Sequence, residues 1–271
     1  MSGFGRSATG HLERLALSLE SCGDYRLLRR LKPRLFAPAS DGPPTRRAVF
    51  LDVETTGLDP EVDTVVELAM LPFDYDPEGR IVGVGKPFAA FRDPGRAIAQ
   101  EVVALTGITN EAVAGATVDE EAVRQVLEGV SLVVAHNAGF DRPFCEPLWP
   151  LFARKAWACS LKEIDWAGEG FEGTRLSHIA ASYGFFFDAH RAVEDCHAGV
   201  EILARELPRS RRTVLAALPR VGPRAEAARP RGESTLRCAQ RSQIARIPLD
   251  VERKGRTARL VRGSRRGSAG S

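Results

Sequence analysis

The sequence predicts a mixed α/β fold in which helices cover a central sheet. Three β-type runs come first, near residues 47–53, 64–73 and 81–91, and helical and strand patterns then alternate to about residue 206. Strands followed by alternating helices and strands are typical of such a layered domain. An apolar share of 44% over 271 residues is enough to form a hydrophobic core.

The N-terminal part has a helical pattern of its own. Apolar residues spaced three, four and six apart predict two short amphipathic helices within residues 11–32, separated at Gly23 and stopped by Pro33. Residues 1–36 are therefore expected to form an N-terminal helical segment. Residues 37–46, rich in proline and small residues, are expected to form a linker.

Residues 47–207 carry the pattern of the main domain. Thr117 and Glu120 have the spacing of a capping box at the start of a helix. The other elements expected after the first three strands are a helix near 97–105, a strand at 131–136 that leads into a helix, a short strand at 157–161, and helices at 174–182 and 191–206.

The charge of the chain is unevenly distributed. Residues 209–271 hold 16 Arg and one Lys against four acids, a net charge of +13, whereas residues 1–208 hold 21 basic and 31 acidic residues, a net charge of −10. The low apolar content predicts a disordered basic tail over residues 208–271, which would attract nucleic-acid phosphates in a salt-sensitive way. Two alternatives remain open, namely a solvated extension without a specific role and a product of a shifted reading frame.

Composition excludes several classes of protein. No apolar run approaches the ~20 residues of a membrane span, and the first residues lack the pattern of a secretory signal. The five cysteines are odd in number and widely spaced, without a Cys-x-x-Cys pair, which predicts reduced thiols and neither a disulfide framework nor a zinc site. We therefore expect a cytoplasmic protein that does not associate with membranes.

Two acids at the end of a strand indicate the chemistry. Asp52 and Glu54 end the apolar run that begins at Ala48. Side chains two residues apart in a strand leave the same face, and two like charges brought together are unfavourable unless a cation neutralises them. A divalent metal is one interpretation, because hard cations prefer oxygen ligands. An exposed strand end with two solvated acids is the other.

Two later segments add acids and a histidine. The run from Ser131 ends in polar residues and then Asp141, and Asp195 follows His190 by five residues, as a helical pattern begins. Four carboxylates and one histidine are the components of a two-metal phosphodiesterase site. Taken singly, either acid could instead stabilise a helix start, and the histidine could be an ordinary loop residue.

In order and spacing, these segments resemble the three motifs of the DEDDh 3′→5′ exonucleases. That superfamily includes RNase T, oligoribonuclease and the proofreading epsilon subunit of bacterial DNA polymerase III. The matching segments are Asp52–Gly57, His136–Asp141 and His190–Asp195, and Leu105–Thr109 resembles a segment of the epsilon branch near the terminal base. The resemblance covers about residues 46–207 and implies an RNase H-like sheet flanked by helices.

The resemblance also implies roles for individual residues. Two divalent ions, Mg²⁺ or Mn²⁺, would be bound by acids, and a histidine would act as the general base. The residues implied as catalytic are His190 together with the metal ligands Asp52, Glu54, Asp141 and Asp195. The residues implied near the substrate are Thr55, Thr56, Gly57, Leu105, Thr106, His136 and Asn137, the last two in a supporting role.

The predicted function is therefore a metal-dependent 3′→5′ exonuclease that releases nucleoside monophosphates from DNA 3′ ends, in polymerase proofreading or in repair. The expected partners are single-stranded or frayed DNA 3′ ends and a DNA polymerase subunit. A 3′→5′ exoribonuclease acting on RNA is an alternative, since the acids do not sense a 2′-hydroxyl. A non-catalytic nucleic-acid-binding or polymerase-binding subunit is another.

Overall fold

A computed structural model describes residues 4–36 and 45–219 of the chain. Six of the strands within these residues form one mixed sheet, and two short strands pair separately. The strands are β1 (Arg29–Arg30), β2 (Arg46–Thr55), β3 (Val65–Tyr75), β4 (Ile81–Val84), β5 (Phe88–Phe91), β6 (Val130–Ala135), β7 (Ala156–Cys159) and β8 (Phe185–Phe186). The helices are α1 (Phe4–Ser21), α2 (Gln100–Thr106), α3 (Asn110–Val113), α4 (Glu120–Leu127), α5 (Ala138–Leu148), α6 (Trp166–Glu169), α7 (Leu176–Ser182), α8 (Ala192–Leu203) and α9 (Val214–Ala217), with a 3₁₀ helix at Pro150–Arg154.

The predicted mixed α/β fold is confirmed, and β2 lies at the centre of the sheet. The strand order is β4–β3–β2–β6–β7, with β5 also paired to β3. β2 is antiparallel to β3 and parallel to β6, and β7 continues the parallel side. The single run expected over residues 81–91 forms two strands, because Gly85 and Pro87 interrupt it and proline cannot donate to a strand ladder.

Side chains of β2 alternate between the two faces of the sheet. Ala48 and Phe50 belong to an apolar cluster with residues of α7, α8 and α9. Val49, Leu51 and Val53 belong to a second cluster, with residues of α4 and α5. Because both faces of β2 are covered, its sequence is a continuous apolar run and does not alternate between apolar and polar residues. Its last residues emerge at the edge of this core.

Helix α8 packs closely on β2 and β3. The Cys196 thiol lies 3.5 Å from the carbonyl oxygen of Phe50 and 3.6 Å from that of Ala69. One turn later, a Cβ atom added to Gly199 would lie 2.1 Å from the ring of Phe50. Glycine therefore lets the helix approach the sheet, and this approach brings the first turn of α8 over the end of β2.

The N-terminal segment forms one helix, so the prediction of two helices within residues 11–32 is wrong. Helix α1 ends at Ser21, and the following residues are extended until β1 pairs in parallel with β8. Tyr25 and Leu28, which periodicity assigned to the second helix, are exposed. Too few apolar residues are available there to bury a helical face, and backbone hydrogen bonds of 3.0 and 2.8 Å to the β8 segment satisfy the chain instead.

The prediction of a disordered tail from residue 208 is wrong for residues 208–219, which the structure describes. Val214–Ala217 forms α9, and the first two residues of this helix are buried in the core. The hydroxyl of Thr213 donates to the carbonyl of Gly79 at 2.8 Å. A short apolar run is thus enough to dock on the domain, although arginines dominate the local composition. The rest of the predicted disordered tail, residues 220–271, lies outside the described residues.

Two other expectations concern boundaries. Residues 37–44 of the predicted linker lie outside the described residues, and β2 begins at Arg46, the last residue assigned to the linker. The capping residue of α4 is Asp119 and not Thr117, because the Asp119 carboxylate accepts the backbone N–H of Glu121 at 2.9 Å. The helix itself is confirmed.

Over residues 4–36 and 45–219, none of the helices is both long enough and apolar enough to traverse a bilayer. The four cysteines in the same part of the chain are free thiols. They are Cys22, Cys145, Cys159 and Cys196.

The contact between Gly199 and Phe50 predicts the outcome of a small substitution. Gly199→Ala adds a methyl group where the fully buried Phe50 ring lies, and overpacking of this kind typically costs ~1–3 kcal/mol of unfolding free energy. Urea unfolding would measure the loss. Gly139→Ala is the matched control, since the added Cβ would meet only the flexible end of Lys162 at 3.4 Å. Equal stabilities of the two variants would contradict the packing described.

Candidate metal centre

Three carboxylates converge at the carboxyl end of β2. Asp52 and Glu54 leave the same face of the strand, and Asp195 belongs to the first turn of α8, which packs on that face. One oxygen atom of each residue lies within 4.8 Å of the others, and all three residues are half-buried. Oxygen donors this close together fit a hard divalent cation. The structure thus brings together acids that the sequence separates by more than 140 residues.

Asp141 lies beside this cluster. It is in the first turn of α5 and is 3% exposed, and its Oδ1 atom accepts the backbone N–H of Val53 at 3.3 Å. That hydrogen bond joins α5 to β2 between the two acids of the strand. Asp141 is not one of the three acids within 4.8 Å of one another. Asp141 therefore lies at the border of the centre, and its hydrogen bond to Val53 links α5 to the strand that carries Asp52 and Glu54.

Burial and repulsion raise the pKa values of these acids. Burial is the largest cause for each residue, and neighbouring carboxylates add to it. The pKa values of Glu54 and Asp141 rise to about 8, that of Asp195 rises to about 7, and that of Asp52 is raised well above its usual value. The cluster therefore favours bound protons, or a cation that takes their place.

His190 lies in the loop that leads into α8. Its backbone φ of +67° is in the left-handed region, which costs a non-glycine residue ~1–2 kcal/mol. The residue is exposed, and partial desolvation lowers the pKa of its ring. Within the described residues the ring has no hydrogen-bond partner. The imidazole is therefore neutral at neutral pH and able to accept a proton.

The turn after β2 is held by Asp63 and Arg96. The Thr56 hydroxyl donates to the Asp63 carboxylate at 3.0 Å and accepts from the Arg96 guanidinium at 2.7 Å. The Thr55 hydroxyl donates to the carbonyl of Gly57. A Cβ atom added to Gly57 would lie 2.3 Å from the Asp63 carboxylate. Both hydroxyls thus shape the turn, and glycine is needed for its close packing.

Leu105 and Thr106 end α2 and differ in exposure. Leu105 is 49% exposed, whereas Thr106 is buried. The Thr106 hydroxyl donates to the Val102 carbonyl at 2.9 Å and accepts the backbone N–H of Ile108 at 3.1 Å. Of the two residues expected near a substrate, only Leu105 presents its side chain to solvent. The Thr106 hydroxyl caps the end of α2 from inside, and a contact of this residue with substrate stays a prediction.

His136 and Asn137 form the turn between β6 and α5. His136 Nε2 lies 2.8 Å from the carbonyl of Thr174, and Nδ1 lies 2.9 Å from the hydroxyl of Ser160. Since a carbonyl can only accept, Nε2 carries the proton and Nδ1 accepts from Ser160. Burial lowers the pKa of His136 to about 4. The left-handed φ of Asn137, +93°, turns the chain into α5. The side chain of His136 and the backbone of Asn137 thus support the turn that leads to Asp141.

Glu67 is an acid of this region that the sequence analysis missed. It lies on β3 directly opposite Glu54 and is buried. Its charge adds to the rise in pKa of Asp52, Glu54 and Asp195. In the sequence, Glu67 could have been noticed as the single acid inside the apolar run Val65–Leu71. The strand pairing then places it opposite Glu54 of the first motif.

The region that carries these acids is similar to known proteins. The exonuclease family model of the RNase T type matches residues 49–203. The chain is 31% identical to the DNA polymerase III epsilon subunit of Aquifex aeolicus, over 59% of this chain and 79% of that subunit. It is 32% identical to the PolC-type DNA polymerase III of Listeria innocua, over 54% of this chain but only 10% of that protein. Exonuclease I of E. coli, solved with a dA16 oligonucleotide, aligns at 19% identity and a TM-score of 0.46, over 63% of this chain and 42% of that chain.

The raised pKa values predict how stability depends on pH and metal. These acids bind protons more tightly in the folded protein than in the unfolded one, so the free energy of unfolding falls as pH rises toward about 8. A bound divalent ion replaces the protons. Added Mg²⁺ should therefore raise the melting temperature more at pH 8 than at pH 6.5, relative to EDTA.

The control for this measurement is the double variant Asp52→Asn, Glu54→Gln. It removes two of the clustered charges with little change in volume, and its melting temperature should respond much less to Mg²⁺ at either pH. The same response in the variant as in the wild type would place metal binding elsewhere. Thermal unfolding in matched buffers measures the melting temperatures of both proteins. The range from pH 6.5 upward avoids the titration of His136, whose pKa is lowered to about 4.

Proposed function

The chain belongs to the RNase T family of 3′→5′ exonucleases, and on that premise we propose that it hydrolyses phosphodiester bonds at DNA 3′ ends to release nucleoside monophosphates. The observation that carries this proposal is the convergence of Asp52, Glu54 and Asp195 within 4.8 Å. A protein that only bound nucleic acid would gain nothing from repelling acids held together. Asp141, a buried acid next to the cluster, adds a fourth carboxylate to the same site.

The four acids fit two divalent ions, and Mg²⁺ or Mn²⁺ suits their hard oxygen donors best. Asp52, Glu54 and Asp195 would provide the closest oxygens, with Asp141 at the border of the site. The chemistry that such ions supply when bound is stabilisation of negative charge on the attacking and leaving oxygens. The raised pKa values support this assignment, because burial and repulsion between the acids favour a cation that neutralises them.

His190 is the proposed general base. Its ring is neutral at neutral pH because desolvation lowers its pKa, so it can take a proton from the attacking water. The side chain of Asp195 accepts a hydrogen bond from the backbone N–H of Arg191, the residue that follows the proposed base. This bond links the loop that carries His190 to one of the clustered acids.

We propose that the 3′-terminal nucleotide contacts the turn at Thr55–Gly57 and the exposed side chain of Leu105. Gly57 lets the turn pack against the Asp63 carboxylate, which keeps the backbone of the turn in place for this contact. Leu105 offers an apolar surface at the end of α2, which suits a terminal base. The preference for DNA is supported by the polymerase relatives, and RNA is the alternative substrate in the assay below.

We further propose a role in polymerase proofreading or in repair, with a DNA polymerase subunit as partner. The support is the name of the relatives, a DNA polymerase III epsilon subunit and a PolC-type polymerase. The match covers 79% of the epsilon subunit but only 59% of this chain. The name of this relative therefore supports a role for the matched region alone. The chain spans only 10% of the PolC-type polymerase, so the name of that relative supports no activity beyond the matched region.

Asp52→Asn should abolish turnover while leaving the fold intact. The change keeps the side-chain shape but removes a charge from the cluster. Loss of several kcal/mol of charge stabilisation corresponds to a rate loss of ~10³-fold or more. Release of mononucleotides from 3′-labelled single-stranded DNA and RNA, with and without Mg²⁺ or Mn²⁺, measures this loss. Asp119→Asn is the control, because asparagine also caps α4 far along the chain from the cluster. Full activity of a well-folded Asp52→Asn protein would refute the proposed function.

His190→Ala should lower the rate by about 10²- to 10⁴-fold, the usual contribution of a general base. The stabilisation by Mg²⁺ should persist, because the clustered acids remain. The wild-type rate should fall as pH drops below the pKa of His190, and this fall should disappear in the variant. His178→Ala, at an exposed position of α7, is the matched control. An unchanged pH profile in His190→Ala would exclude the role of base.

A further inference from the structure

Glu67 occupies a position that requires an explanation. It is 3% exposed and lies directly opposite Glu54 in the β2–β3 pair. Residues opposite each other on antiparallel strands share one face, and like charges there are unfavourable. A buried carboxylate is tolerated when it is hydrogen-bonded or paired. The hydrogen-bond partners of Glu67 should therefore indicate its role.

Those partners lie at the start of α8. Glu67 Oε2 accepts the backbone N–H of Ala192 at 3.4 Å, and the Arg191 guanidinium lies 3.9 Å from Oε1. The capping residue of the helix is Arg191, whose side chain cannot accept a hydrogen bond. The unpaired N–H groups of a helix start need acceptors. Glu67 supplies one of these acceptors from the neighbouring sheet.

Asp195 supplies the other acceptor. Its carboxylate accepts the N–H of Arg191 at 3.2 Å. Two consecutive backbone N–H groups, those of Arg191 and Ala192, thus donate to two different carboxylates. His190 directly precedes these two residues and has a φ of +67°. A strained backbone conformation persists only where its surroundings hold it on more than one side.

We propose that Glu67 is a positioning residue that holds the His190–Ala192 turn and so fixes where the general base stands. This inference rests on the proposed function for its effect on rate. Glu67 is not among the acids within 4.8 Å of one another, so its role differs from that of the clustered carboxylates. What matters in this proposal is that a side-chain oxygen of residue 67 extends far enough to accept the Ala192 N–H. The negative charge of Glu67 is not required.

Two substitutions at Glu67 separate the length of its side chain from its negative charge. Glu67→Gln keeps an oxygen at the same distance along the side chain and removes the charge. Glu67→Asp keeps the charge and withdraws the oxygen by one methylene. Positioning predicts that the Gln variant retains most of the wild-type kcat and that the Asp variant loses ~10- to 100-fold, with KM nearly unchanged. Equal losses in both variants, or a larger loss in the Gln variant, would overturn the proposal.

A double-mutant cycle tests whether Glu67 acts through His190. In a His190→Ala background, Glu67→Asp should cause no further loss of kcat, because no base remains to be positioned. An undiminished loss in that background would contradict the proposal. Asp74→Asn is the matched control, since Asp74 is another buried acid of β3 and pairs instead with Arg47 at 3.0 Å. It should retain the wild-type kcat.

Hydrogen exchange provides a measurement that does not require activity. Mass spectrometry of a peptide spanning residues 189–195 should record faster amide exchange in Glu67→Asp, and wild-type exchange in Glu67→Gln and Asp74→Asn. Absence of nuclease activity in the wild type would refute the proposed function but leave this contact measurable. Unchanged exchange in Glu67→Asp would overturn the positioning role, whatever the activity.

Discussion

The close approach of three carboxylates is the constraint on which the structure depends. Asp52 and Glu54 are fixed by a strand that is buried on both faces, and Asp195 is fixed by a helix that touches this strand through Gly199. Mutual repulsion cannot push these acids apart without moving the core. The sheet and α8 therefore hold a concentration of negative charge that protons or cations must balance.

Two of the acids also bind backbone groups, which links the fold to the chemistry. Asp141 accepts the N–H of Val53 and joins α5 to the central strand. Asp195 accepts the N–H of Arg191 and holds the loop before α8. Each carboxylate uses one side for a structural hydrogen bond, while its charge contributes to the shared centre. This dual use helps residues from three distant segments to keep one geometry, together with the packing of α8 on β2.

Much of this arrangement could be predicted from local patterns, and the exceptions share a cause. The strand carrying Asp52, the turn before Asp141 and the helix after His190 were all recognisable, because strand ends and helix starts have short-range signals. Glu67 was missed because its partner, the N–H of Ala192, is 125 residues away. β1 and α9 were missed for the same reason, since each is stabilised by distant segments and neither has a strong pattern of its own.

The central claim is that the acids at the end of β2 and the start of α8 bind paired divalent ions for phosphodiester hydrolysis. Anomalous diffraction from crystals grown with Mn²⁺ and a short DNA strand tests it most directly. The account predicts two manganese peaks with oxygen ligands from Asp52, Glu54 and Asp195, next to the terminal phosphodiester. Ordered DNA with no manganese at these carboxylates, in crystals of protein that is active with Mn²⁺, would contradict it.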